Sequence, residues 1–390
     1  MTNKTLLLFL LMPWLSFAQK TNKPQPGTAA ATKTIAVPMK AENWTFKENT
    51  VQFLEYKSRP SLKILPESGP VVLKNLDFTD GTIEFDHEPI NPRFSSVYFH
   101  WQDDKENECF YFRNGRAGNP TAVDAVQYAP FLNGVNLWDV MGQYQSPASF
   151  GKQSWNHVKL VISGKQMRVY VNSDRKPTLE IPRLEGNATH GTIAFDGEGI
   201  ISNLLIKPNQ TEGLSPTAGI DPTDHDPRYL RNWQVSQPII IPKGIDFSQD
   251  LVPGKETAWQ PIEAERRGLI NLTRQYGKSE TRRIVWLKTT IKSELAQKRR
   301  LDFGFSDEVW VQINGKLLYV DKNYYGQPIM KEPDGRLSIE NTTFSVPLNQ
   351  GDNELLIGVG NDFYGWGIVA RFDKMEGISF EPSPKATEGK

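Results

Sequence analysis

Residues 155–172 read WNHVKLVISGKQMRVYVN. Val158, Leu160 and Ile162 alternate with His157, Lys159 and Val161. After a turn at Ser163-Gly164-Lys165, Met167, Val169 and Val171 alternate with Arg168, Tyr170 and Asn172. Side chains on a strand point to opposite faces in turn, so a period of two marks one buried face. Glycine between two such runs predicts a β-hairpin. The rest of the chain extends this pattern.

Upstream stand TIEFDHE (82–88), SVYFHWQ (96–102) and CFYFRN (109–114). Downstream, GTIAFDG (191–197) and ISNLLIKP (201–208) close a first block. A second block begins near Arg231. In RIVWLKTTI (283–291), Val285, Leu287 and Ile291 fall on one face, and LDFGF follows with Leu301, Phe303 and Phe305 in phase. EVWVQINGKLLYV (308–320) is a second hairpin, its Asn314-Gly315 pair suited to a type I′ turn. TFSVPL, NELLIGVGN and WGIVARF add further strands. Short strands with regular turn signals and no long helical period predict an all-β chain of two sandwiches or jelly rolls in tandem. A length of 390 residues also favours two domains. The expected division is 35–207 and 231–382. Residues 208–230, rich in Pro and Gly, form a linker between them, and 19–34 and 383–390 are polar ends.

The first eighteen residues carry a secretory signal. Lys4 supplies the charge, Thr5 to Leu15 the apolar stretch, and Ser16-Phe17-Ala18 the small-residue cleavage site. Export to the periplasm or the extracellular space is expected. No later segment reaches the roughly 18 apolar residues of a membrane helix, so membrane insertion is not expected. Lys and Arg total 45, as do Asp and Glu, which leaves no basic footprint for nucleic acid. Cys109 is the single cysteine and sits among aromatic residues, where a buried thiol is expected. The five histidines lack metal-ligand spacing, and no cofactor is implied. The acidic turns DDKENE (103–108) and DGEG (196–199) allow Ca²⁺ through oxygen ligands.

The order of motifs resembles known families. GTIEFD, WNHVKLVISGKQMRVYVN and GTIAF with ISNLLIKP make the first block similar to the concanavalin A-like lectin/glucanase superfamily in its laminin-G-like form. SDEVWVQINGKLLYV and PLNQGDNELLIGVGNDFYGWGIVARF make the second resemble galactose-binding-like jelly rolls. The first block also resembles 3-keto-disaccharide hydrolase-like domains. Their N-S-G-I-x-x-R and E-x-Q-x-x-D motifs are absent, and SSVYFHW (95–101) and DAVQYAP (124–130) stand at the comparable place. These resemblances imply a carbohydrate partner. They also permit glycoside hydrolysis, or an adhesion module that contacts protein.

Two kinds of site residue follow. Glu84, Asp86 and Glu88 share one strand face at steps of about 6.5–7 Å. That is the arrangement by which lectin-fold glucanases set nucleophile, helper and acid/base. A retaining glycosidase needs two carboxyl groups about 5–5.5 Å apart. His100, Asp124 and Gln127 are the polar candidates of the hydrolase-like reading. A sugar site instead pairs exposed aromatic rings with amides and carboxylates. The aromatic-rich stretch 124–145 offers Asp124, Gln127, Tyr128, Asn136, Trp138 and Tyr144. In the second block NDFYGWG (361–367) offers Asn361 and Trp366. The leading expectation is an exported, non-catalytic carbohydrate-binding protein.

Overall fold

The 155–172 hairpin forms as read. In the computed structural model, strand Asn156–Ser163 pairs antiparallel with Gln166–Val171. Val158 faces Val171, Leu160 faces Val169 and Ile162 faces Met167. All six side chains are buried in one core. Gly164 takes φ +50° at the turn, a conformation costly for a residue with a Cβ. The structure describes residues 33–242 and 247–380. The expected leader (1–18) and most of the expected polar ends lie outside the described residues.

The hairpin belongs to an eight-stranded antiparallel sheet. Its main path runs Leu179–Ile181, Gln166–Val171, Asn156–Ser163, Gly81–Pro89, Gly199–Pro208, Arg59–Ile64 and Val51–Tyr56. A seven-stranded sheet packs against it. Its order is Gln145–Ser146, Val126–Tyr128, Glu108–Arg113, Phe94–Trp101, Thr192–Asp196, Val71–Leu73 and Trp44–Thr45. Ile83 and Phe85 from one sheet meet Val97, Phe99, Phe110 and Phe112 from the other in the shared core. Alternation then places Ser96, Tyr98, Cys109, Tyr111 and Arg113 on the outer face of the seven-stranded sheet.

A second sandwich follows, built from an eight-stranded and a four-stranded sheet. Arg283–Ser293 and Gly351–Asn361 pair over eleven residues at its centre. Val285, Leu287 and Ile291 enter the core with Leu301, Phe303 and Phe305, as their phase predicts. The alternate residues Ile284 and Trp286 are buried too. They pack with Trp310 and Leu356 beneath Ile241, Leu251, Val252 and Trp259. The Asn314-Gly315 turn has φ +50° and +73°, the signs of a type I′ turn. The all-β class and the two-sandwich architecture stand.

The sandwiches touch directly. Gly365 N–H donates to Asp139 Oδ1 at 3.3 Å, and Leu337 N–H donates to the Asp139 carbonyl at 2.8 Å. Asn133 Nδ2 donates to the Arg274 carbonyl at 2.9 Å, and Arg274 Nη2 to the Glu185 carbonyl at 2.8 Å. The segment read as a linker is itself fastened down. Leu214 packs on Val161 and Tyr170, and Lys165 N–H donates to the Pro216 carbonyl at 2.9 Å.

Candidate functional site

Where the outer face of the seven-stranded sheet meets the second sandwich, a cleft of about 790 Å³ opens. That is a ligand-sized volume, within the roughly 300–1,000 Å³ of small-molecule sites. Tyr98, Tyr111, Arg113 and Asp196 line it from the sheet. Asn136 and Trp138 come from the 124–145 stretch, and Asn361, Asp362, Phe363, Tyr364 and Tyr325 from the second sandwich. The two aromatic-rich stretches singled out in the sequence thus share one cleft.

Its mouth carries rings left open to solvent. Phe94 is 53% exposed, Tyr325 51%, Tyr364 48% and Phe363 42%. Trp138 meets Tyr325 edge-on at 4.8 Å and Tyr364 at 5.9 Å between centroids. Tyr325 and Phe363 lie nearly parallel, 5° apart in plane and 6.4 Å between centroids. Large exposed rings clustered at a cleft mark a contact surface. The polar groups below them are held in place. Arg113 Nη2 donates to Gln127 Oε1 at 2.7 Å and to the Tyr111 hydroxyl at 3.1 Å. Asn136 Nδ2 donates to the Ala129 carbonyl, and its Oδ1 accepts from Trp138 N–H. Asn361 Nδ2 donates to the Tyr364 carbonyl. Burial raises the pKa of Asp196, against a hydrogen bond from Gly197 N–H.

Several residues picked from the sequence stand elsewhere. Tyr128 is fully buried. Its hydroxyl donates to Glu108 Oε2 at 2.6 Å and accepts from Glu185 N–H, so its ring offers no face to a sugar. Tyr144 is buried with its hydroxyl on Glu185. Gln127 is buried beneath the cleft, its Nε2 donating to the Trp138 carbonyl. Asp124 is paired with Arg116 at 2.9 Å. Trp366 is fully buried in the second core, with the Arg283 guanidinium 4.8 Å from its ring centroid. Tyr128, Tyr144, Gln127 and Trp366 therefore serve packing rather than contact. His100 is buried under Phe78, its Nε2 2.7 Å from the Thr79 carbonyl, and burial lowers its pKa. It is no candidate for acid/base work.

The acidic strand also reads differently. Glu84, Asp86 and Glu88 do share the outer face of Gly81–Pro89, but that strand lies in the eight-stranded sheet, away from the cleft lining. Each carboxylate is matched by a cation. Lys207 holds Glu84 at 2.8 Å, Arg59 holds Asp86 at 2.6 Å, and Lys57 holds Glu88 at 2.7 Å. Asp86 also takes hydrogen bonds from His157 and Asn203, and its pKa stays below the ordinary value despite burial. The lowered pKa of Asp86 is the opposite of what a general acid requires.

The carboxylates of Asp103 and Glu106, in the first turn read as a possible Ca²⁺ site, hold hydrogen bonds within the fold. Asp103 Oδ1 accepts from Lys105 and Glu106 N–H, and Glu106 takes Asn133 N–H and Asn187 Nδ2. Among the described residues no three acidic, histidine or cysteine side chains converge as a metal site would require. Cys109 is buried, and burial pushes its thiol pKa far up.

Sequence alternation could have pointed to the missed cleft residues. Ser96 and Tyr98, then Tyr111 and Arg113, are the outward positions of two strands whose inward positions are Val or Phe. Tyr325 gave no such signal, since it lies between strands.

No family model matches this chain, and no curated protein matches it. Three solved structures of similar shape each cover less than half of it. The carbohydrate binding module CBM66 from Bacillus subtilis is 12% identical, covering 42% of this chain and 95% of its own, with a TM-score of 0.32. A Bacillus licheniformis beta-glucanase is 13% identical over 45% of this chain and 98% of its own, TM-score 0.31. A Caenorhabditis elegans galectin is 13% identical over 41% of this chain and 97% of its own, TM-score 0.25.

Proposed function

We propose that the protein is an exported carbohydrate-binding protein whose site is the cleft between the two sandwiches. One observation carries this reading. Four solvent-open rings from both sandwiches surround a ligand-sized cleft with a polar floor. A pyranose has an apolar CH face and a rim of hydroxyls. Rings of Trp138, Tyr325 and Tyr364 suit the former, while Asn361, Asp362 and Arg113 suit the latter. The laminin-G-like and galactose-binding-like resemblances of the two blocks point the same way, as does the leader at 1–18.

The test is a glycan array followed by calorimetric titration of wild type and Tyr325→Ala. Wild-type binding that weakens in the variant is expected. If no glycan binds, the adhesion reading takes its place.

Hydrolysis is the second reading, moved from the acidic strand to the cleft. Asp196, with its raised pKa, and Asp362 both line the cavity. The raised pKa of Asp196 suits a general acid, and Asp362 is a second carboxyl lining the same cavity. Release of reducing ends from a bound glycan, lost in Asp196→Asn with binding retained, would favour it.

A further inference from the structure

Arg336 belongs to the second sandwich, between strands Lys316–Lys322 and Thr342–Leu348. It is only 6% exposed, and its guanidinium lies 5.4 Å from the Trp138 ring centroid. A Cβ placed on Gly142 would sit 3.2 Å from Arg336 Cδ and 3.9 Å from Gln145 Nε2. Two buried donors therefore share this corner, Arg336 Nε and Gln145 Nε2. Neither has a hydrogen-bond partner among the described residues.

Charge is unbalanced there as well. Burial, and then the like charge of Arg113, pull the Arg336 pKa below its ordinary value. Asp124 is already engaged by two guanidinium groups. Its Oδ2 accepts from Arg116 Nη2 at 2.9 Å and lies 3.9 Å from Arg113 Nε. Arg336 feels the charges of the exposed Asp334 and of Asp124 more weakly than that of Arg113. Buried donors and buried cations left without acceptors are destabilising. An anion supplies the missing acceptors, and the flat guanidinium fork matches carboxylate and sulfate oxygens. Arg113 and Trp138 line the glycan cleft, so the corner adjoins it.

We propose that the cleft takes an acidic glycan, with a carboxylate or sulfate of the sugar held beside Trp138 by Arg113 and Arg336. This rests on the reading of the cleft as a sugar site. A neutral glycan would leave the corner donors unpaired, so the pair sets specificity as well as affinity.

The experiment titrates the full chain with galacturonate oligomers, sulfated chondroitin oligosaccharides and neutral galacto-oligosaccharides. Wild type, Arg336→Met and Gln145→Met are compared, with thermal melts of each in chloride and in sulfate. Acidic glycan is expected to bind at least tenfold tighter than neutral. Arg336→Met should erase that preference while keeping neutral binding and melting close to wild type. Equal binding of acidic and neutral glycans overturns this proposal alone. So does a melt raised by free sulfate without any glycan preference, which marks a free-anion site only. Arg336→Met that melts far lower and loses both ligands marks a structural role and also overturns it. Failure to bind any glycan overturns the sugar reading and this proposal together.

Discussion

Asp307 accepts the backbone N–H of Phe363 at 2.7 Å, and its same oxygen accepts Asp362 N–H at 2.7 Å. One carboxyl of the second sandwich thus fixes the loop that carries two of the exposed rings. Asp139 of the first sandwich caps the same loop at Gly365. Both carboxyls are buried, and each charge disfavours the other. The cleft wall is therefore set by two acidic groups that cannot readily ionise together.

This makes the loop sensitive to pH. Burial pushes Asp307 from 3.8 up to about 7, against the hydrogen bonds from Asp362 and Phe363 N–H. The folded chain then binds more protons at this group than the unfolded chain does. Its stabilising contribution is complete below 3.8 and is lost as pH rises through about 7. His87, whose pKa burial lowers to about 3, acts in the opposite sense. The sign is therefore read from a variant. The Tm of wild type relative to Asp307→Asn should fall between pH 5 and pH 8 by calorimetry. A constant difference would refute the assignment.

Asp139 predicts a coupled loss. Asp139→Ala leaves Gly365 N–H buried without its acceptor, at a cost of about 1–3 kcal/mol. Urea unfolding should show that loss, and glycan affinity should fall because Tyr364 is released. Asp139→Asn keeps an acceptor and should retain affinity. Normal affinity in Asp139→Ala would separate the loop from the site.

The hairpin turn offers a test of the fold. A Cβ on Gly164 would lie 2.4 Å from the Pro216 carbonyl oxygen, on a backbone at φ +50°. Gly164→Ala should cost about 1–3 kcal/mol from the strained conformation alone, and more from the clash. Denaturant melts should show a lower midpoint with an unchanged slope.

Strands were legible because period-two alternation is imposed by the backbone itself. Val158, Leu160 and Ile162 could hardly face anything but a core. Burial of Ile284 and Trp286 was not legible, since the covering segment around Leu251 and Trp259 has no strand period. Trp138, Asn136 and Asn361 were found from residue type on irregular stretches. Tyr128 and Trp366 were misread for the same reason. Composition marks both an exposed platform and a buried plug, and only long-range packing separates them. The joining of two stretches more than 200 residues apart into one cleft left no local trace.

The platforms should matter more than any single amide. A neutral hydrogen bond contributes about 0.5–1.5 kcal/mol net. Trp138→Ala removes a ring that also orders Tyr325 and Tyr364 through edge-on contacts. Its affinity loss by titration should exceed that of Asn361→Ala. Tyr128→Phe, which alters only a core hydroxyl, should change stability rather than affinity. The reverse ranking would place the sugar elsewhere.

The acidic strand gives the sharpest negative test. Glu84 and Glu88 are bound to Lys207 and Lys57 in the eight-stranded sheet, whereas the cleft lies on the seven-stranded one. Glu84→Gln and Glu88→Gln should leave glycan affinity unchanged. Their effects on stability should differ. Glu84–Lys207 is a partly exposed pair, worth about 0–1 kcal/mol. Glu88 is buried and also takes the Tyr56 hydroxyl at 2.8 Å. Its neutral replacement should lower the Tm more than Glu84→Gln does. Loss of glycan turnover in both variants would return the chemistry to this strand and remove it from the cleft.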